Sequence, residues 1–260
     1  MSSLHEKASL FHSLHVRGTP LLLCNVWDAG STKTVTAAGA RAIATSSWAV
    51  AAAHGCADGE RLPMDLVLAN ASRIVQATTL PVSIDIEGGY GASPSEVANT
   101  VRSLLDVGAV GCNIEDRIPE SGRVRTVAQQ VERLGAARAI AAGTGVRLFI
   151  NARTDVFFET PAEQHSRALI AVALERAKAY AEAGADGLFV PGLKDPGLVR
   201  EFCDGSPLPV NVMLDDTQAS PGQWASTGVA RLSYGPAPYL RAIQAFGEEA
   251  RKSFRAAASS

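Results

Sequence analysis

The chain has 260 residues, with 24 lysines and arginines against 26 aspartates and glutamates, for a formal net charge of -2. That balance gives no electrostatic reason to bind nucleic acid or an anionic membrane surface. Hydrophobic residues make up 47%, enough for a sizeable core, which excludes disorder as the main state.

The opening stretch, residues 1–19, reads as an N-terminal helix; it is polar and mixed in charge, unlike a signal peptide. No later run approaches the ~20 apolar residues of a membrane span, so a cytoplasmic protein is expected. Eight short, almost wholly apolar runs follow, at 21–26, 41–47, 81–87, 111–116, 147–153, 187–191, 209–213 and 231–234. Such runs suit parallel strands buried on both faces. Helical patterns lie between them, and their start signals are clear. Ser93-Pro94-Ser95-Glu96 offers an N-cap, a proline at the first helical position and a glutamate that closes a capping box. Thr160-Pro161-Ala162-Glu163 and Ser220-Pro221-Gly222-Gln223 repeat it, Thr126 with Gln129 gives a proline-free version, and Leu62-Pro63 and Asp195-Pro196 also read as helix starts. Gly39, Gly108, Gly184 and Gly228 each stand between a helix and the next strand, where a left-handed residue ends a helix at low cost.

Eight strand-then-helix units predict an α/β fold, a single (β/α)8 (TIM) barrel spanning 1–260. An open doubly wound sheet would place Gly-x-Gly-x-x-Gly after its first strand; Trp27-Asp28-Ala29-Gly30-Ser31 stands there instead. A C-terminal helix is expected at 236–254, where Tyr239, Leu240, Ile243 and Phe246 recur at helical spacing. It packs on its own barrel or on a neighbour's.

In a barrel the chemistry collects at the C-terminal ends of the strands. The third strand ends in Asp85-Ile86-Glu87, whose acids are two apart and should face the same way. The fourth adds Glu115-Asp116. Three carboxylates meeting in a low-dielectric mouth would raise one another's pKa, and a hard divalent cation relieves that conflict. Oxygen-only donors favour Mg²⁺, with Mn²⁺ as the alternative. The competing reading makes them solvated acids or partners of Arg117 and Arg153. Gly88-Gly89-Tyr90-Gly91 is either a tight turn or backbone that approaches an anion closely. Asn151 and Arg153 share a face of the fifth strand, where Arg153 is a structural ion pair or a clamp for a substrate carboxylate. Ser46, Ser47 and Trp48 end the second strand and could receive a carboxylate. The small-residue stretch 51–60 reads as a mobile loop carrying Asp58 as a candidate acid or base. His54 and Cys56 are read as packing residues. Cys24, Cys56, Cys112 and Cys203 form no Cys-x-x-Cys pair and are expected as free thiols, and the histidines lack zinc-site spacing.

Taken together, these segments resemble the isocitrate lyase / phosphoenolpyruvate mutase superfamily. Asp85-Ile86-Glu87-Gly88-Gly89-Tyr90-Gly91 is similar to its Asp-x-Asp/Glu-x-Gly-Tyr-Gly, Glu115-Asp116 to its Glu-Asp pair, Asn151-Ala152-Arg153-Thr154-Asp155 to its Ala-Arg-Thr-Asp, and Ala183-Gly184-Ala185-Asp186 to its Ala-Gly-Ala-Asp. The stretch 43–58 follows the family's second strand and loop without a gap. The resemblance implies a Mg²⁺-binding barrel acting on small 2-oxo or 2-hydroxy acids, without nucleic acid or membrane partners. It also implies a homo-oligomer, a dimer of dimers whose C-terminal helix is exchanged between subunits. By the same resemblance Asp85, Glu87 and Glu115 hold the metal directly or through water. It also implies that Ser46, Ser47 and Trp48 receive the substrate carboxylate, that Arg153 binds a second oxyanion and that Asp58 belongs to the gating segment. Asp85 and Asn211 are further candidate substrate contacts, Asp58, Tyr90 and Arg153 are the candidate catalytic residues, and the proton donor is Tyr90, Asp58, Glu120 or solvent.

The chain also departs from the family's pattern. Its cleaving members carry a Lys-Lys/Arg-Cys-Gly-His loop after the fourth strand. Here 117–125 is short and has neither Cys nor His, and the phosphonomutases' longer Asn-bearing loop is missing too. Pro191-Gly192 stands where the lyases place a glutamate, and Ser47 replaces a glycine. Isocitrate and methylisocitrate cleavage are therefore disfavoured. The expected function is a Mg²⁺-dependent carbon–carbon lyase working through an enolate. The alternatives are carbon–phosphorus chemistry of the phosphonopyruvate hydrolase or mutase type, or a barrel that binds a 2-oxo acid without catalysis.

Overall fold

The computed structural model describes residues 3–215 and 221–258. All eight predicted strands form: β1 (Leu21–Leu23), β2 (Ile43–Ala44), β3 (Val82–Asp85), β4 (Gly111–Glu115), β5 (Phe149–Arg153), β6 (Gly187–Phe189), β7 (Val210–Met213) and β8 (Arg231–Ser233). They make one parallel sheet in the order β1-β8-β7-β6-β5-β4-β3-β2. The ring closes just beyond β1 and β2: Val26 bridges Thr45 in parallel, and its amide donates to Ala44 O at 2.9 Å. The strands are shorter than the apolar runs because a barrel keeps hydrogen-bonded register only around its waist.

Helix starts follow local chemistry. Capping boxes form at Ser93 with Glu96, opening α5 (Pro94–Asp106), and at Thr126 with Gln129, opening α6 (Val127–Gly143). Asp195 caps α9 (Pro196–Gly205) by accepting from Leu198 N, and α4 (Met64–Gln76) begins directly after Pro63. Gly39, Gly108, Gly184 and Gly228 all take positive φ, between 87° and 99°. One start is corrected. Thr160 ends the short α7 (Val156–Glu159), and a 3-10 turn over Ala162–Gln164 follows. The long α8 (Arg167–Glu182) begins only after Ser166. His165 accounts for the delay, because its ring nitrogen bonds Phe157 O and Thr160 O, both at 3.0 Å, and holds the chain in a turn. Ser220 lies outside the described residues; α10 (Pro221–Ala225) follows it. A capping box at Asp28 and Ser31 opens α2 (Ala29–Ala37), a start the sequence reading did not identify.

Helix α1 (Leu4–Ser13) plugs the N-terminal end of the barrel. Phe11 packs edge-on against Phe149, and His15 just beyond the helix stacks on the same ring at 4.0 Å. At the other end of the chain, α11 (Ala237–Ala258) buries none of its residues. Among the described residues no helix is long and apolar enough to cross a membrane, and the four cysteines are free.

Candidate active site

Above the apolar waist the barrel interior turns polar. Asn151 Nδ2 donates to Asn113 Oδ1 at 2.9 Å and to Asn211 Oδ1 at 3.2 Å; Asn211 Nδ2 in turn donates to Ser233 Oγ at 3.1 Å. Arg231, fully buried, donates from Nη2 to Asn113 Oδ1 at 3.3 Å. This layer floors a cavity of about 280 Å³ at the C-terminal mouth.

Six of the predicted residues line that cavity: Ser46, Ser47, Trp48, Asp58, Asp85 and Arg153. Asp85 closes β3, its amide held by Thr45 Oγ1 at 2.9 Å. Its Oδ2 accepts from Ser47 Oγ at 3.3 Å. Ser46 caps the helix α3 (Ser47–Ala53), and this turn directs Ser47 and Trp48 into the mouth. Burial, then the neighbouring Asp85, raises the Asp58 carboxyl above the ordinary range.

The expectation that Asp85 and Glu87 face the same way is corrected. The strand stops at Asp85, and Glu87 takes φ 52°, so period-two alternation no longer applies. Glu87 Oε2 instead accepts from the amides of Gly59 (2.7 Å) and Glu60 (2.6 Å), while Tyr90 Oη donates to its Oε1 at 3.1 Å. Glu60 Oε1 reciprocates by accepting from Tyr90 N at 2.9 Å. The predicted mobile loop is thus tied to the end of β3. Among the described residues the non-glycine positions with positive φ are Glu60, Glu87 and Tyr90, all within this one knot. Strain gathered at one place is a common mark of a functional site. Burial, followed by Asp58, lifts Glu87 to about 7.

Tyr90 sits off the cavity, lining the small adjoining pocket with Leu62 and Ile74. Burial and the adjacent Glu87 push its phenol well above its usual pKa, so it is a fixed hydrogen-bond donor rather than an exposed proton source. Asn211 is 1% exposed and belongs to the floor network beneath the cavity, because its strand position points it at Asn151 and Ser233.

Arg153 reaches the cavity but is heavily engaged. Nη1 pairs with Glu115 Oε2 at 2.8 Å; Nε and Nη2 clasp Asp155 at 2.6 and 2.8 Å. The Phe158 and Phe189 rings flank it at 5.4 and 5.7 Å. Burial raises Glu115 against the pull of Arg153, with Asp155, Asp85 and Glu87 adding to the rise. Asp116 points away from the mouth and is structural: it accepts from Asp155 N, Tyr180 Oη and Arg176. His54 bonds Val50 O at 2.8 Å behind α3, and Cys56 packs against Val50, Leu62 and Val67, as expected of packing residues.

A divalent cation can be tested against this donor set. Asp58, Asp85, Glu87 and Glu115 stand near one another, with the Arg153 guanidinium paired to Glu115, and Asp58, Glu87 and Glu115 are raised by burial. The donors are all oxygen and carry excess negative charge, which fits a hard cation. Among the described residues, however, no three His, Cys, Asp or Glu side chains converge closely enough to hold an ion directly. Asp85 is the one expected ligand on the cavity wall.

The cavity also contains residues the sequence reading did not pick out, among them Asn25, Asn113, Phe158, Phe189, Met213 and Ser233. Met213 and Ser233 close β7 and β8 and could have been found by position alone, whereas Asn113 lies in the middle of β4. Phe158 lies on the unpredicted α7 and had no signal.

The chain matches the family model described as phosphoenolpyruvate phosphomutase over residues 11–254. It is 31% identical over 228 residues to the 2-methylisocitrate lyase of Escherichia coli K12, covering 84% of this chain and 73% of that one. A crystal structure from Burkholderia cenocepacia J2315, provisionally named a phosphonomutase, is 49% identical, with a TM-score of 0.94 over 96% of this chain and all of that one. Phosphonopyruvate hydrolase, solved with oxalate and Mg²⁺, shares the fold at 21% identity and TM-score 0.84, covering 96% of this chain and 88% of that one.

Proposed function

We propose, from the premise that the chain belongs to the phosphoenolpyruvate phosphomutase family, that it is a Mg²⁺-dependent lyase making or breaking a carbon–carbon bond beside a small 2-oxo or 2-hydroxy acid. The observation that carries this reading is Asp85 on the cavity wall, with the acids Glu87 and Glu115, both raised by burial, close to it. Asp85 would hold the cation, with Glu87 and Glu115 acting through water. Magnesium, when bound, supplies charge stabilisation to an oxygen anion developing next to the reacting bond. The chain's own residues do the rest. Ser46 and Ser47 orient the substrate carboxylate. Asp58, whose carboxyl burial and the neighbouring Asp85 raise above the ordinary range, serves as acid or base. Phe158, Phe189 and Met213 exclude water from one wall. Glu87 and Tyr90 hold the segment bearing Asp58 in place.

Calorimetric titration of oxalate with Mg²⁺, and a turnover screen over 2-oxo and 2-hydroxy acids, test this reading. Asp85→Ala should lose both binding and turnover; undiminished turnover would refute it. The 49% identity to a protein provisionally named a phosphonomutase favours one second reading, carbon–phosphorus chemistry, which phosphorus NMR of phosphonopyruvate incubations would reveal.

The proposed homo-oligomer rests on α11. Leu240, Ile243, Phe246 and Phe254 are exposed along it, while an apolar groove of Leu21, Leu22, Cys24, Val35 and Tyr234 lies open beside β1. Exchange of α11 onto a partner's groove would cover both. A monomer by light scattering would reject it.

A further inference from the structure

We infer that Arg117 is a specificity-determining residue that receives a second anionic group of the substrate, a carboxylate or phosphonate carried a few bonds from the 2-oxo or 2-hydroxy acid head. The inference rests on the proposed reading, in which that head sits at Asp85.

Two guanidinium groups line the cavity, and they differ in what they have left to offer. Arg153 is gripped on three nitrogens by Glu115 and Asp155. Its Nε, Nη1 and Nη2 are thus already engaged, and an incoming anion would meet both carboxylates beside it. Arg117 has no such partner. Its side chain is 44% exposed, and its nearest acid is Asp155 Oδ2, 3.9 Å from Nη1. That carboxylate is already clasped by Arg153. The distance is beyond a hydrogen bond, so Arg117 keeps its donors for a ligand.

The backbone beneath it is nonetheless well held. Arg117 follows Glu115-Asp116 at the end of β4 and bridges Val124 in antiparallel register. Ile118 N donates to Arg123 O and Gly122 N to Ile118 O, both at 2.8 Å, and Arg125 Nη1 donates to Arg117 O at 2.8 Å. The result is a tied hairpin with a free cationic head. The lining groups nearest in chemistry cannot take an anion's charge: Asn113 and Ser233 are neutral, and Phe158, Phe189 and Met213 are apolar. Planar, forked guanidinium groups suit carboxylate and phosphonate oxygens. The short 117–125 segment therefore delivers a cation to the mouth.

Calorimetry on the full-length chain with Mg²⁺ present tests this, using oxalate, lactate, malate and phosphonopyruvate as probes. Lactate and malate share a 2-hydroxy acid head and differ in the distal carboxylate; phosphonopyruvate supplies a phosphonate. Malate or phosphonopyruvate should bind the unmodified protein at least about tenfold more tightly than lactate. Arg117→Ala should erase that advantage, a loss of about tenfold to a hundredfold, while oxalate affinity stays within about twofold and so reports an intact site. Arg117→Lys should keep part of it. A full advantage surviving in Arg117→Ala, or no advantage in the unmodified protein, overturns the inference while leaving the lyase reading standing. Failure of oxalate to bind the unmodified protein overturns that reading and this inference with it.

Discussion

Replacing Arg153 with alanine should destabilise the barrel in a way that depends on pH. The guanidinium is 15% exposed, and it neutralises Glu115, with a side chain 9% exposed, and Asp155, with one that is 0% exposed. Its removal strands two buried carboxylates, Glu115 at the end of β4 and Asp155 just beyond β5. Removing one member of a buried ion pair typically costs about 3–5 kcal/mol, because the remaining charge loses its partner without regaining water. At about 2–4 °C per kcal/mol for a chain of this size, the melting temperature should fall by roughly 6–20 °C. The sign of the pH effect follows from Glu115. Burial already raises it, and Arg153 is the neighbour that lowers it. Without Arg153 the folded state binds that proton more tightly than the unfolded chain does, so the variant's stability falls as pH rises through the window between the two pKa values. The deficit relative to the unmodified protein should be larger at pH 8 than at pH 5. Thermal melts followed by circular dichroism at both values read this directly. Arg153→Met combined with Glu115→Gln and Asp155→Asn should recover most of the loss. A deficit under about 1 kcal/mol, or one that grows on acidification, would show that the cluster is not held together as described.

Three further outcomes follow from the packing. His15 is buried, and burial with Arg231 nearby lowers it from 6.5 to about 3; the unfolded chain then binds its proton first, so stability present above pH 6.5 should decline by about 2 kcal/mol on reaching pH 5. His15→Phe should flatten that part of the melting curve against pH. Arg133, 1% exposed on α6, donates to the carbonyls of Gly88, Gly91 and Ala92. Arg133→Met should cost about 3 kcal/mol in urea unfolding by orphaning those carbonyls. Glu87→Ala should release the amides of Gly59 and Glu60, raising their hydrogen exchange by about tenfold or more, with exchange in β5 unchanged.

The amino-acid sequence alone determined what depends on near neighbours along the chain. Apolar runs gave eight strands, because parallel strands buried on both faces need little else. Ser93 with Glu96 and Thr126 with Gln129 gave helix starts, because a cap is a bond between residues three apart. Strand ends then located Ser46, Ser47, Asp85 and Arg153 at one mouth, because a barrel brings all its C-terminal strand ends together. What only the tertiary structure decided depends on groups distant in sequence, or on backbone that leaves its regular path. Asp85 and Glu87 look equivalent on a pleated strand; they separate because the strand stops between them and Glu87 turns into the left-handed region to hold Gly59 and Glu60. Arg153 and Arg117 look alike as arginines near acids; they differ because Asp155 and Glu115 converge on one and leave the other open. Which charge is answered and which is left for a ligand is set by distances of a few ångströms between separate strands, and no local pattern of residues encodes those.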